Sequence, residues 1–270
     1  MTELSFCSLC FSFGHQREQC KCNFPSIDFF KSEIEQRSNT IINRYPNFCD
    51  SYDEFGPYQV DNTIKKVSTE YNDSIDCFSD QILEKTEKQL YEIFETNLKP
   101  NENECLIRYW SIYKITRLIE SLVPGSICVP QGSSIIGTFT VDSDVDLIVF
   151  NENKNIEEIY EIIEDRPEFE NIQLNLRKRI SFIACKDKET GINYEILKNS
   201  VGGLLSANRV KKMFSEFQNI HLFELSMLVK SFFSGIECHK VYTGGFSSTM
   251  IIQICLFFAL KTKHMKFSYI

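Results

Sequence analysis

The chain lacks an apolar run long enough to cross a bilayer. Its longest, MIIQICLFFAL from Met250 to Leu260, falls well short of the ~20 residues a spanning helix needs and reads as a buried helix. It also lacks a basic segment leading into an apolar one at its start, MTELSFCSLC, so no signal peptide is expected and the protein is placed in a reducing compartment, cytoplasm or nucleus. Positive charge is in deficit. With 29 Lys+Arg against 37 Asp+Glu, a net charge of −8 and a pI near 5.2, a broad electrostatic grip on nucleic acid is excluded, and any such contact must be local. The small clusters Lys65-Lys66, Arg177-Lys178-Arg179, Lys211-Lys212 and Lys261 to Lys266 read as solvated faces. The 11 cysteines are odd in number and, past residue 22, scattered singly through apolar stretches, which argues against a disulfide framework. No internal repeat and no low-complexity tract occurs.

An apolar fraction of 43% and 23 Phe among 270 residues are enough for a folded chain with a sizeable core. Residues 23–75 mix Asn, Ser, Asp, Pro and aromatics without steady period and read as a linker or weakly ordered region. Helical spacing then appears from Asp76 to about Leu98, ended by Lys99-Pro100. A second amphipathic helix runs from about Asn103 to Leu122, with Leu106, Ile107, Trp110, Ile115, Leu118 and Ile119 on one stripe and Pro124-Gly125 as its stop. Strands are expected near Ile127 to Val129, over Val145 to Phe150, and at about Ile180 to Ala184 and Ile192 to Leu197, with a surface helix over Ile156 to Ile163. Helices follow at about Leu204 to Phe217, Leu222 to Phe233 and Ser248 to Lys261. That order predicts an α+β core with a helical companion.

Near the start, CSLCFSFGHQREQC places Cys7, Cys10, His15 and Cys20 at C-x2-C-x4-H-x4-C. Two thiolates one tight turn apart, with an imidazole and a third thiolate close by, can close a tetrahedral Zn²⁺ site. Cys22 is a spare thiol able to compete with Cys20. The spacing resembles the CCHC zinc knuckle, and a closed four-ligand site is structural, suited to gripping single-stranded RNA.

The stretch GSSIIGTFTVDSDVDL, residues 132 to 147, sets a Gly-Ser turn ahead of two acids. In Asp144-Val145-Asp146 the acids are i and i+2 of a strand and project to one face. A pair of divalent cations about 3.5–4 Å apart requires that convergence of oxygen ligands. The Gly132-Ser133 turn offers backbone N–H groups and a hydroxyl to phosphate oxygens.

The combination G-S-x9-S-D-x-D running into an apolar strand resembles the signature of the DNA polymerase β-like nucleotidyltransferases. That resemblance implies a palm with a mixed sheet and flanking helices, and a third acid on a later strand, for which the candidate is Glu195 in GINYEILKN. The family usually has Asp there, so this chain carries one extra methylene. Within the superfamily the chain is most similar to the poly(A)/poly(U) RNA polymerases, the terminal uridylyltransferase group. The carrying residues are Asn199, Ser206, Lys230 in LSMLVKSFF, and Thr243-Gly244-Gly245-Phe246-Ser247-Ser248. By resemblance Asn199 contacts the ribose with Ser206 nearby, and Lys230 with the Ser247-Ser248 turn binds the triphosphate. Three departures stand out. Thr249 replaces the aromatic that stacks on the base, Ser234 replaces a second lysine, and the family continues with further helices beyond the point equivalent to Ile270.

The polymerase resemblance covers about residues 76 to 265 and implies a nucleotidyltransferase domain over 103–200 and a truncated helical central domain from 76–102 and 201–270; outside it lie the expected zinc knuckle over 1–22 and the linker over 23–75. The resemblance implies addition of nucleotides from an NTP to an RNA 3′ end with two Mg²⁺ or Mn²⁺ held by Asp144, Asp146 and Glu195. A catalytically inactive RNA-binding or scaffold protein with the same fold is the alternative, and transfer to a small molecule or a protein is a third. The all-round apolar helix near the C-terminus calls for cover, supplied by missing chain, a protein partner or a second copy.

Overall fold

The computed structural model describes residues 6–7, 19–44, 80–176, 181–218, 221–236, 238 and 245–262. They fall into two compact units, one built from residues 1–49 and 100–207, the other from 50–99 and 208–270.

The first unit is an α+β palm. Its elements are α1 (Ile27–Arg44), α3 (Glu102–Leu122), β1 (Ile127–Pro130), the short turn α4 (Ser133–Ile136), β2 (Val145–Phe150), α5 (Ile156–Ile163), β3 (Phe169–Asn175), β4 (Phe182–Asp187) and β5 (Asn193–Lys198). The five strands form one mixed sheet in the order β1-β2-β5-β4-β3. Only β2 and β5 run parallel, and every other neighbouring pair is antiparallel. Both α3 and α5 start on capping boxes. The Asn101 side chain accepts from the Glu104 N–H at 3.0 Å while the Glu104 carboxylate accepts from the Asn101 N–H at 2.9 Å, and Asn155 with Glu158 repeats the pattern.

One face of the sheet is the main core. Val145, Leu147 and Val149 of β2 and Tyr194 and Ile196 of β5 pack there with Ile112, Ile115, Leu118 and Ile119 of α3 and Ile159 and Ile163 of α5. On the opposite face a smaller cluster gathers Val129, Ile148, Phe150, Val201 and Leu204.

The stretch expected as linker contains an 18-residue helix, α1. It places Phe30 and Ile34 in the main core and Ile41 in the smaller cluster. Buried Phe30, Ile34, Ser38 and Ile41 recur at helical spacing, but so few apolar residues among polar neighbours hide the period in the sequence. Arg37 of α1 pairs with Glu120 of α3, and the same carboxylate accepts from the Cys128 N–H of β1 at 2.9 Å. Phe30 is fully buried, so Phe30→Ala is expected to destabilise the chain by about 3 kcal/mol in a urea titration. A change under about 0.5 kcal/mol would mean that α1 is not part of the folded unit.

Helix α3 buries Trp110, Ile115, Leu118 and Ile119 as expected, with Leu106 against the core, and departs from expectation at one apolar position and three polar ones. Ile107 is 48% exposed, whereas Arg108, Ser111 and Lys114 are buried. Polar groups can lie on a core stripe when each finds a partner. Ser111 donates to Asp187 at 2.7 Å and meets the Tyr194 hydroxyl at 2.6 Å, and Lys114 donates to the other Asp187 oxygen at 2.6 Å. Burial, with the Asp187 charge adding to it, pushes the Tyr194 hydroxyl well above its ordinary pKa. This network fastens α3 beneath β4 and β5.

Strand β3 was not expected from the sequence, where alternation is confined to Ile172-Gln173-Leu174-Asn175. Asn171 sits at φ 55 and the pairing register shifts between Glu170 and Gln173, a bulge that breaks the two-residue period. The other strands lie within a few residues of expectation, and β2 and α5 match it at both ends.

The second unit contains α2 (Asp80–Ile93), continued by a wider turn over Phe94–Leu98, then α7 (Leu222–Gly235) and α8 (Ser248–Thr262). Helix α6 (Gly202–Glu216) crosses the boundary between units. Phe223 of α7 meets Phe94 and Phe214 edge-on, at centroid distances of 6.0 and 5.3 Å. In α8, Ile251, Ile252 and Cys255 are buried while Met250, Ile254, Phe257 and Phe258 remain about half exposed. Among the described residues no helix is long and apolar enough to cross a membrane.

Candidate active site

Asp144 immediately precedes β2 and Asp146 is its second residue. Val145 and Leu147 are fully buried in the main core, so the pleat turns Asp146 to the opposite face, with Asp144 two residues earlier on the same side. The parallel pairing then sets Glu195 directly beside Asp146, and Tyr194 beside Val145. Neighbouring strands lie about 4.8 Å apart, so three acids occupy one end of one face. Farther along it, Ile148 and Phe150 turn the surface apolar.

The turn ahead of β2 is pressed against this group. The Gln131 N–H donates to the Asp146 carbonyl at 2.9 Å, and Gly132 adopts φ 61, ψ −138. A Cβ on Gly132 would lie 2.7 Å from Asp146 Oδ2. Gly is therefore required twice over, for the dihedrals and for the approach. Ser133 opens the turn α4, and its carbonyl accepts from Gly137 and Thr138 N–H groups at 2.8 and 3.1 Å. Ser134 is buried, and its hydroxyl finds no hydrogen-bond partner among the described residues.

The loop between α4 and β2 closes on itself. The Thr140 N–H donates to Ser143 Oγ at 2.9 Å, and the Ser143 N–H returns to the Thr140 carbonyl at 3.0 Å. Arg108, absent from the sequence-based candidates, reaches this loop from α3. Its guanidinium donates to the carbonyls of Thr140 at 3.3 Å, Asp144 at 3.5 Å and Ser143. It also lies over the Phe139 ring, 4.6 Å from the centroid. Burial lowers its pKa, partly offset by nearby Tyr194 and Asp144. The only sequence signal was a charge at a position that helical spacing aligns with Ile112 and Ile115.

The remaining candidates are spread. Asn199, at φ 50, has its carboxamide engaged: its oxygen accepts from the Asn151 N–H and its nitrogen donates to the Asn151 carbonyl, both at 3.1 Å. It ties the ends of β2 and β5, and one amide hydrogen is left beyond these two bonds. Ser206 lies on α6 in the first unit. Lys230, Ser247 and Ser248 belong to the second unit, where Ser247 Oγ accepts from the Met250 N–H at 3.1 Å and so caps α8. Of the expected zinc ligands, Cys10 and His15 lie outside the described residues. Cys7 is buried and Cys20 half-buried.

Chemically, an all-oxygen donor set suits a hard divalent cation such as Mg²⁺ or Mn²⁺. The strand register and the Gly132 cradle fit one. The three carboxylates share the face without converging on a single point, and among the described residues no three His, Cys, Asp or Glu side chains are gathered as a coordination sphere.

A five-stranded mixed sheet with flanking helices is the palm fold of the solved polymerases that this chain superposes on. Residues 87–214 match the central palm domain of the mitochondrial-like poly(A) RNA polymerases. The poly(A) RNA polymerase CID14 of Cryptococcus neoformans is 24% identical over 172 residues, 61% of this chain and 22% of that protein. The chain thus spans about a fifth of that relative's length. The polymerase core of the RNA surveillance complex TRAMP superposes with a TM-score of 0.56 at 19% identity, covering 63% of this chain and 54% of the other. Cid1 bound to a UTP analogue superposes with a TM-score of 0.55 at 20% identity, over 64% of this chain and 54% of that one.

Proposed function

We propose that this chain is a template-independent RNA 3′-terminal nucleotidyltransferase. The observation that carries the reading is the β2/β5 register, which sets Glu195 beside Asp146 with Asp144 two residues before and the Gly132 turn against them. The polymerases it resembles support the reading, as does the UTP analogue bound by Cid1.

In this reading Asp144, Asp146 and Glu195 hold two Mg²⁺ or Mn²⁺ ions. When bound, such a pair lowers the pKa of the attacking 3′ hydroxyl and stabilises the leaving pyrophosphate. The Gly132-Ser133 turn faces the triphosphate, and Gly132 lets the backbone come close to it. Within the second unit, the resemblance assigns Lys230, a point charge, and Ser247 and Ser248, at the N-terminus of α8, to phosphate oxygens. Asn199 keeps the two acid-bearing strands together and offers its remaining amide hydrogen to the ribose, with Ser206 nearby.

The test is incubation of the purified chain with labelled oligo(A), Mg²⁺ or Mn²⁺, and each NTP in turn. Stepwise extension with at least one NTP is expected. A second reading, an inactive RNA-binding or scaffold protein, is favoured by the longer acid at 195 and by carboxylates that do not converge. RNA binding without extension by any NTP, in the wild type and in Glu195→Asp alike, would establish it instead.

Cys7, Cys10, His15 and Cys20 are proposed to hold one structural Zn²⁺ that helps grip the RNA, on the strength of their spacing alone. Metal analysis of protein purified in reductant should return about one zinc per chain, and a ratio near zero removes the knuckle.

A further inference from the structure

Arg108 is 3% exposed, and burying a guanidinium is costly unless its donors are matched. Among the described residues it makes no ion pair. Its partners are instead three carbonyls of one loop, those of Thr140, Ser143 and Asp144. Its flat face rests on Phe139, which begins the same loop, and the Tyr109 ring meets Phe139 edge-on at 6.1 Å.

A planar fork of five N–H donors can hold three carbonyls at once in a way that an ammonium on a flexible stem cannot. The arrangement is also selective. Arg108 takes the carbonyl of Asp144, while the Asp144 residue itself is exposed. A cation aimed at the carboxylate would have neutralised it. One aimed at the main chain fixes where the carboxylate stands and leaves its charge available. The anchor is firm because α3 is itself fastened to the sheet through Ser111 and Lys114.

We propose that Arg108 is the positioning residue for Asp144: it holds the 139–144 loop so that this carboxylate joins Asp146 and Glu195 in binding a divalent cation. The proposal rests on the reading of these acids as metal ligands.

The test uses the full chain and Mn²⁺ alone, with bound ion read from loss of the free Mn²⁺ electron paramagnetic resonance signal. Wild type is compared with Arg108→Lys, Arg108→Gln, Asp144→Asn and the double variant Arg108→Gln/Asp144→Asn. Each Arg108 variant is expected to weaken Mn²⁺ binding about tenfold, because a lost brace and a lost ligand remove the same contribution. The double variant should bind no more weakly than Asp144→Asn alone. A merely structural arginine would lower the melting temperature while leaving Mn²⁺ affinity unchanged, or would weaken it by a factor that multiplies with that of Asp144→Asn. Either result overturns the proposal. Should Arg108→Gln fail to fold, Arg108→Lys decides between wild-type affinity, which overturns it, and tenfold loss, which supports it. Wild type that takes up no Mn²⁺ sinks the metal reading and this proposal together, whereas wild-type binding with unaffected Arg108 variants sinks the proposal alone.

Discussion

Under the proposed nucleotidyltransferase reading, Asp146→Asn is expected to lower nucleotide addition about a thousandfold while leaving the fold intact. Cation-assisted stabilisation of a phosphoryl-transfer transition state contributes several kcal/mol, and each 1.36 kcal/mol is a factor of ten. Loss of a ligand at the centre of the set should forfeit roughly three such factors. Asp146 is central because it is the residue that Glu195 pairs with across the sheet and that Gly132 abuts. Asn keeps the shape of a half-buried side chain on a strand whose other residues form the core, so stability should change by less than about 1 kcal/mol. Single-turnover addition to a labelled oligonucleotide, with a parallel thermal melt, reads both quantities. A variant that keeps a tenth of the wild-type rate would remove Asp146 from catalysis.

The second large effect is expected at Gly132. Alanine there must adopt φ 61, ψ −138, a conformation costing of order 1–3 kcal/mol for a residue with a side chain. Its Cβ would also fall 2.7 Å from Asp146 Oδ2, so the carboxylate must move. A displacement near 1 Å at a reacting centre is worth about a hundredfold in rate. Gly132→Ala should therefore lose about 2 kcal/mol of stability and about two orders of magnitude in addition rate. The contrast is Gly125→Ala, which shares the positive φ, at 81, but has nothing within 4 Å of an added Cβ. That variant should lose stability alone. Equal rates in the two variants would show that the approach to Asp146 does not matter to the chemistry.

Much of the palm was legible because its signals are local. The run Val145 to Phe150 is apolar on both sides of one acid and reads as a strand buried on two faces. The starts of α3 and α5 were placed from apolar spacing alone, and the structure adds the capping boxes at Asn101 and Asn155 that fix them. Where the reading missed, the reason was tertiary. The 27–44 helix owes its existence to burial of Phe30, Ile34 and Ile41 against α3 and the edge of the sheet rather than to a strong amphipathic pattern. On α3 the reading held from Trp110 to Ile119 and missed at Ile107, which looks like core, and at Arg108, which does not. Only the carbonyls of a loop more than thirty residues away make the arginine the buried one. Asn199 was read by resemblance as a ribose contact, and what its placement shows is a tie between two strand ends.

The sequence alone determined that Asp144 and Asp146 lie on one face, because the alternation of a strand is a property of consecutive residues and needs no partner. It likewise determined that a glycine turn comes shortly before them. The tertiary structure decided what stands next to them. Parallel pairing brings Glu195 to Asp146 across 49 positions of chain, and a buried guanidinium from another helix holds the loop that carries Asp144. Such neighbours are set by hydrogen-bond register between distant strands and by packing of helices on a sheet, and no local period in the chain encodes either.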